Sequence, residues 1–167
     1  MYPLKAQKIN EAILFIAPLA PNMYNILKIL YFADKEHLAK YGKFITNDDH
    51  FALKEGPVPS LAYDLIKLAR GDEKSFITVN IEKTFTVENN NIMPLRKANL
   101  DFFSATEIEC LQQAIKVYGK LNYSELKKIG HADPAYINTP LNKQITLEEI
   151  VKSLPDSEEL LEYLEQK

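Results

Sequence analysis

The stretch from residue 22 to residue 40 constrains the fold of this chain more than any other. Pro21 precedes it, Asn22 can cap a helix and Gly42 can end one, which predicts one helix from Asn22 to Lys40. Apolar side chains recur at helical spacing on one face and spread around much of the rest. A helix that is apolar nearly all round is usually central. We therefore expect the other elements to pack around it.

The polar side chains of this helix raise the question of function. Asp34 and His37 fall on its main apolar face, where buried polar groups need hydrogen-bond partners. Phe32 falls on the charged face, and an aromatic side chain among charges is typical of a partner-binding surface. The alternative is that the N-terminal helix or the C-terminal tail covers Phe32. The predicted partner-binding residues are Lys28, Phe32, Lys35, Glu36, Tyr63 and Lys67.

A glycine–proline pair marks the next change of direction. Gly56 can take backbone angles closed to other residues, and Pro57 suits a first helical turn, so the pair predicts a strand-to-helix corner. The helix after the corner carries Val58 on its apolar stripe. The other elements predicted in the first half are a helix over Leu4–Ala17, a strand over His50–Leu53, and the end of the post-corner helix near Arg70.

In the middle of the chain the sequence pattern changes to that of β-strands, and the segments are rich in β-branched and aromatic residues. Pro94 cannot donate to a ladder, so the last of these strands lies at an edge. The predicted sheet is small and antiparallel, and the strand around Phe51 could extend it. The predicted strands are Phe76–Ile81, Thr84–Val87 and Ile92–Leu95, with turns at Glu82-Lys83 and Asn89–Asn91.

Capping residues divide the last third into helices, and Pro155 precedes a final acidic helix that ends at Lys167. The predicted fold class is α+β and predominantly α-helical, with helices around a central buried helix and a small antiparallel β-sheet. We expect one domain over residues 1–140 and a C-terminal helical extension over 141–167, packed on the same domain. The predicted caps are Ser104, Asn122 with Glu125, Asp133, and Thr146 with Glu149.

Composition narrows the classes of function. The chain has 167 residues, a net charge of −3 and one cysteine. A slightly acidic balance argues against broad attachment to DNA or to anionic membranes. A single cysteine forms no internal disulfide, which fits a reducing cytoplasm. No apolar run is long enough to span a bilayer, so we expect a cytoplasmic protein without membrane contacts.

An enzyme finds little support in the pattern of reactive residues. A metal-dependent hydrolase could use Asp34, His37 and His50, but only the first two share a helix face, and no HExxH-type pair occurs. A buried Asp–His pair is the simpler interpretation. Cys110 sits at the edge of an apolar stripe, where cysteines are inert. A winged-helix DNA binder is a further alternative. The dispersed positions of the basic residues argue against it.

Five short runs belong together: residues 28–38 (KILYFADKEHL), 41–46 (YGKFIT), 56–60 (GPVPS), 104–109 (SATEIE) and 131–136 (HADPAY). In this order they resemble the Panacea domain, also called the SocA-like antitoxin or phage-associated GepA family. The resemblance extends from about Leu4 to Tyr136. The combination of LYFAD with a later His and GPVPS is its most specific part.

The resemblance implies a non-enzymatic protein without cofactors. Its expected partner is a toxin encoded beside it, which it neutralises by direct binding or by delivery to a cytoplasmic AAA+ protease. Strong nucleic-acid binding is not expected. We hypothesise that the family signature specifies the scaffold, while variable exposed residues choose the toxin. The motif residues expected to be structural are Tyr31, Asp34, His37, Tyr41, Gly42, Gly56, Pro57, Val58 and His131.

Overall fold

Helices dominate the computed structural model, which describes residues 2–72 and 82–166. The predicted fold class, predominantly helical α+β, is confirmed. Short antiparallel strands occur between helices along the chain. The elements are α1 Tyr2–Ile16, α2 Met23–Tyr41, β1 His50–Leu53, β2 Gly56–Pro59, α3 Ser60–Arg70, β3 Phe85–Glu88, β4 Asn91–Pro94, α4 Ala105–Tyr118, α5 Tyr123–His131, α6 Pro134–Ile137, β5 Gln144–Ile145, α7 Leu147–Lys152 and α8 Ser157–Glu165.

The predicted central helix is α2, and its two ends are set by local hydrogen bonds. The Asn22 side chain accepts a bond from the Tyr24 amide, which satisfies a donor that the first turn leaves free. Gly42 takes the left-handed conformation with φ of 75°, and its amide donates to the Leu38 carbonyl. A side chain at Gly42 would meet the Tyr163 ring, because its Cβ would lie 2.6 Å from Cε1.

The first sheet corrects the expected glycine–proline corner. Gly56 and Pro57 lie inside strand β2, where they pair with Leu53 and Ala52 of β1. The helix therefore begins three residues later than Pro57, at Ser60, and Val58 is buried in the strand instead of on the helix. Pro57 is tolerated because β2 is the edge of the β2-β1-β5 sheet, where a missing donor has no ladder to break.

The hairpin β3–β4 is the second sheet, and it confirms the strands predicted around Val87 and Ile92. Asn89 and Asn90 form its turn with positive φ, as two-residue hairpin turns require. The expected extension by the Phe51 strand is wrong, since β1 pairs with β2 and β5 instead. The predicted strand Phe76–Ile81 lies outside the described residues.

The caps predicted for the later helices are confirmed. Ser104 and Asn122 each form a full capping box with the glutamate three residues on. Asp133 accepts the Tyr136 amide, and Thr146 accepts the Glu149 amide. The final helix α8 ends at Glu165 and buries none of its residues fully. None of the helices in the described ranges is long and apolar enough to cross a membrane.

Helix α2 contributes to two hydrophobic clusters. The larger one joins α1, α2, α3, the β3–β4 hairpin and α4, with Ile13, Ile26 and Ile66 fully buried. The smaller one places Tyr31 and Leu38 of α2 against side chains of β5, α7 and α8. Apolar burial of this kind is the main stabilising term of a domain. The C-terminal segment therefore helps to bury one side of α2.

Candidate functional site

The motif carboxylate of α2 points inward and organises the segment that follows the helix. Asp34 is fully buried, and its Oδ1 accepts bonds from the amides of Ile45 (2.7 Å) and Thr46 (3.0 Å). The Thr46 hydroxyl donates to Oδ2 at 2.5 Å. Burial raises the pKa of Asp34 to about 6, although these bonds favour its charged form. Asp34 thus holds residues 45–46 against the centre of α2.

His37 is equally buried but has partners of its own. Its Nδ1 donates to the Lys43 carbonyl at 2.7 Å, and Nε2 lies 2.9 Å from the Thr106 Oγ1. Its ring packs against Tyr41 with 4.8 Å between centroids. The sequence placed Asp34 and His37 on one buried face, and the structure does so. The two side chains are satisfied separately, however, and do not bond to each other as a pair.

A buried ion pair joins α2 to the start of α6. The Lys35 Nζ donates to Asp133 Oδ1 at 2.5 Å, and the Tyr31 hydroxyl donates to Oδ2 at 2.6 Å. All three side chains are buried. Burial, with the charge of Asp133 beside it, raises the pKa of Tyr31, which keeps its hydroxyl a donor. Sequence reasoning identified Asp133 as a cap and placed Lys35 on a surface, but it missed their contact.

Asp48 supplies the cap that α3 lacks locally. Pro59 precedes this helix and offers no side-chain acceptor. Asp48 lies outside the helix, and its two carboxylate oxygens accept the amides of Leu61 (2.8 Å) and Ala62 (2.9 Å). Burial raises the pKa of Asp48 to about 6, and the nearby Asp34 adds to the rise. A carboxylate at a helix N-terminus is favourable, so the cost of burial is partly offset.

Asp48→Asn is expected to change how stability depends on pH. The folded-state pKa lies above the ordinary value of 3.8, so the folded protein binds the proton more tightly than the unfolded chain does. This contribution to stability is present at low pH and is lost as pH rises from about 4 to about 6. Over that range, urea unfolding should show wild type losing about 2 kcal/mol more than Asp48→Asn. The control Asp101→Asn, at an exposed position, should parallel wild type, and an Asp48→Asn profile that did so would contradict the assignment.

His50 does not form the metal site considered from the sequence. Its ring is buried between Tyr31 and Phe44, and neither ring nitrogen has a hydrogen-bond partner among the residues that the structure describes. Its Nε2 lies 3.8 Å from the nearer Asp34 oxygen, and burial lowers the pKa of His50 to about 3. Both nitrogens of His37 are already engaged. Within residues 2–72 and 82–166, no three His, Cys, Asp or Glu side chains are arranged to hold a metal ion.

The residues predicted to bind a partner do not form one patch. Phe32 is half-buried and stacks on Tyr118 of α4 with 4.7 Å between ring centroids. Lys35 is buried against Asp133, and Glu36 pairs with Lys40 along the same helix. The cover over Phe32 therefore comes from α4, with leucines of α8 in the same cluster. On this side of α2, little of the predicted partner-binding surface is exposed to solvent.

The other predicted residues lie around a small groove. Lys28 is buried, and its Nζ donates to the Pro57 carbonyl at 2.7 Å. Tyr63 lines the same groove and carries the Lys67 ammonium over its ring at 4.5 Å. Tyr123, at the start of α5, also lines the groove and was not identified from the sequence. The only signal for it was its place after the predicted cap Asn122.

The glycine and histidine of the motif bring the hairpin and α5 together. Gly56 has φ of 119°, and a Cβ there would lie 2.9 Å from the Lys28 Nζ. The absence of a side chain thus leaves room for the buried ammonium. His131, at the end of α5, has its Nε2 2.8 Å from the Lys54 carbonyl and its ring stacked on Tyr136. Both residues shape the groove without lining it.

Comparison with known proteins bears on this arrangement. Residues 26–136, from α2 to α6, match the family described as antitoxin SocA-like, Panacea domain. Comparisons with curated proteins and with solved structures give no significant match. The matched span contains Tyr31, Asp34 and His37 of α2 and nearly all of the groove. The resemblance seen in the sequence is confirmed over residues 26–136, although not over the expected stretch from Leu4 to residue 25, and the chain belongs to the SocA-like antitoxin family with a Panacea domain.

Proposed function

We propose that this protein is an antitoxin that neutralises a toxin encoded beside it by binding that toxin directly. The observation that carries the proposal is the family match over residues 26–136, which indicates an antitoxin-type role. The match begins in α2 and ends in α6, so it includes both partners of the buried contacts made by Asp34 and Asp133. The domain that defines the family is therefore the folded unit that would meet the toxin.

The direction of the motif side chains supports a binding role. Tyr31, Asp34 and His37 are fully buried and make hydrogen bonds inside the protein. Buried side chains with internal hydrogen bonds hold structural elements together, whereas catalytic side chains must reach a cleft that binds the substrate. A scaffold built by its signature leaves the exposed residues free to vary with the toxin. Recognition would then depend on surface side chains and not on a catalytic centre.

The test is co-expression in a bacterial host of the neighbouring open reading frame, with and without this protein. We expect growth arrest by the neighbour alone, rescue by this protein, and co-purification of the two as a stable complex. Repeating the rescue in a strain without its cytoplasmic AAA+ proteases separates two mechanisms. Rescue that persists supports neutralisation by binding alone, whereas rescue that disappears supports delivery of the toxin to a protease.

A harmless neighbour that does not co-purify with this protein would contradict the proposal. The winged-helix alternative makes a different prediction, since it requires salt-sensitive, sequence-selective binding to DNA. Measuring binding of the purified protein to its own promoter at two salt concentrations therefore distinguishes the two classes. We expect no selective binding.

A further inference from the structure

The groove beside Lys28 has the size and lining of a site for one side chain. It lies where α2, the β1–β2 hairpin, α3 and α5 meet, and its volume is about 140 Å³. A cavity of about 150 Å³ lined by apolar side chains holds a benzene molecule. Leu27, Leu53 and Leu126 give this groove an apolar interior, and Tyr63 and Tyr123 stand at its walls. One aromatic or leucine-sized side chain would fill it.

The groove carries an excess of positive charge, whereas the whole chain has a negative net charge. Among the described residues, Lys28, Lys54 and Lys127 line it with one carboxylate, Glu55, in a protein whose net charge is −3. The Lys28 ammonium has one described hydrogen bond, to the Pro57 carbonyl, although an ammonium can donate three. A local excess of positive charge favours an acidic partner and steers its approach.

The contacts that now cross the groove are exposed and easily replaced. The Tyr123 hydroxyl donates to Glu55, which also pairs with the Lys127 ammonium at 3.6 Å. Tyr123 is 46% exposed, so its ring offers apolar surface to a partner. Exposed ion pairs contribute little to stability. A carboxylate of a partner could therefore replace Glu55 beside Lys127 without disturbing the fold.

We propose that this groove is the docking site for the toxin, and that it takes an apolar side chain of the toxin with an acidic residue beside it. The apolar side chain lies between Tyr63 and Tyr123, and the acidic residue pairs with Lys127 and Lys54. The inference rests on the proposed antitoxin function and adds the chemistry of the contact. Tyrosine is enriched at the centres of protein interfaces because its ring adds contact area at a small entropic cost.

The first test reverses one charge at the groove and the same charge outside it. Lys127→Glu should weaken binding of the purified product of the neighbouring frame by at least about tenfold in a calorimetric titration. Lys128→Glu is the matched control, because Lys128 is the next residue of α5, is exposed and does not line the groove. Its affinity should stay within about threefold of wild type. Raising the salt concentration should narrow the difference between the two variants.

The second test separates the ring of Tyr123 from its hydroxyl. Tyr123→Ala removes the ring and should weaken binding by about tenfold or more, as expected for an aromatic anchor. Tyr123→Phe loses only the bond to Glu55, so it should bind within about threefold of wild type. Thermal unfolding of each variant checks that the fold is retained. The pair of substitutions distinguishes an apolar contact from a polar one.

The outcomes for this inference and for the proposed function can be told apart. If wild type binds the neighbour and both Lys127→Glu and Tyr123→Ala bind as tightly, the groove is not the docking site and the antitoxin function stands. If wild type neither rescues growth nor binds, both proposals fall. If a basic residue in place of one acidic residue of the toxin restores binding to Lys127→Glu alone, the predicted charge pairing is supported directly.

Discussion

Asp34→Ala is expected to lower the free energy of unfolding by about 3 kcal/mol. The substitution leaves the Ile45 amide, the Thr46 amide and the Thr46 hydroxyl without their acceptor. An unsatisfied buried donor costs about 1–3 kcal/mol, and the loss of a buried charge offsets part of the total. Urea unfolding followed by circular dichroism measures the change. The backbone amide hydrogens of the loop after α2 should also exchange with solvent faster.

Asp34→Asn is the matched control for this effect. Its side-chain carbonyl can still accept the two amides, and the Thr46 hydroxyl can turn to accept from the new NH₂ group. The expected cost is about 1 kcal/mol, well below that of alanine. An Asp34→Ala protein that unfolds like wild type but has lost binding to the product of the neighbouring frame would contradict the structural role. It would also overturn the hypothesis that the family signature specifies the scaffold.

Asp133→Asn should destabilise the protein by about 3 kcal/mol, although asparagine caps a helix as well as aspartate does. The reason is Lys35, whose buried ammonium would lose its counter-charge. The asparagine oxygen can still accept the Tyr31 hydroxyl, so most of the loss is assigned to the charge. Chemical denaturation of both proteins at neutral pH gives the difference.

Adding Lys35→Met to Asp133→Asn is expected to recover most of that loss. Methionine fills similar space without a charge, and replacing both members of a buried ion pair by uncharged side chains is often neutral. The double variant should lie within about 1 kcal/mol of wild type, and the double-mutant cycle then gives a large coupling energy. If the two single effects simply add, the pair is not the source of the loss.

The two buried networks explain how the family motif acts in this chain. Asp34 fixes the segment after α2, and Lys35 with Tyr31 fixes the start of α6, so one helix positions elements from opposite ends of the matched region. The groove beside Lys28 depends on the same helix, because the Lys28 Nζ donates a hydrogen bond to the Pro57 carbonyl. Variants in the networks should therefore affect stability first, while variants at Tyr123 or Lys127 should affect binding first.

The helix ends were predictable because a cap is a local interaction. Asn22, Ser104 and Asn122 accept amides only two or three residues further along the chain, so the sequence alone contains both partners. The central place of α2 was predictable for a related reason, since its all-round apolarity admits few other environments. The family was predictable because several short motifs occur along the sequence in the order expected for it, and residues 26–136 match that family.

The tertiary structure decided the contacts between distant residues. Lys35 and Asp133 are separated by 98 positions, and many other lysine–carboxylate pairs would look the same in the sequence. Pro57 has a backbone angle that suits a strand as well as a helix, so the choice between them was made by pairing with β1. The groove arises only where four elements meet. Local propensities determine where helices begin and end, whereas pairing, burial and surface shape depend on how those elements pack in three dimensions.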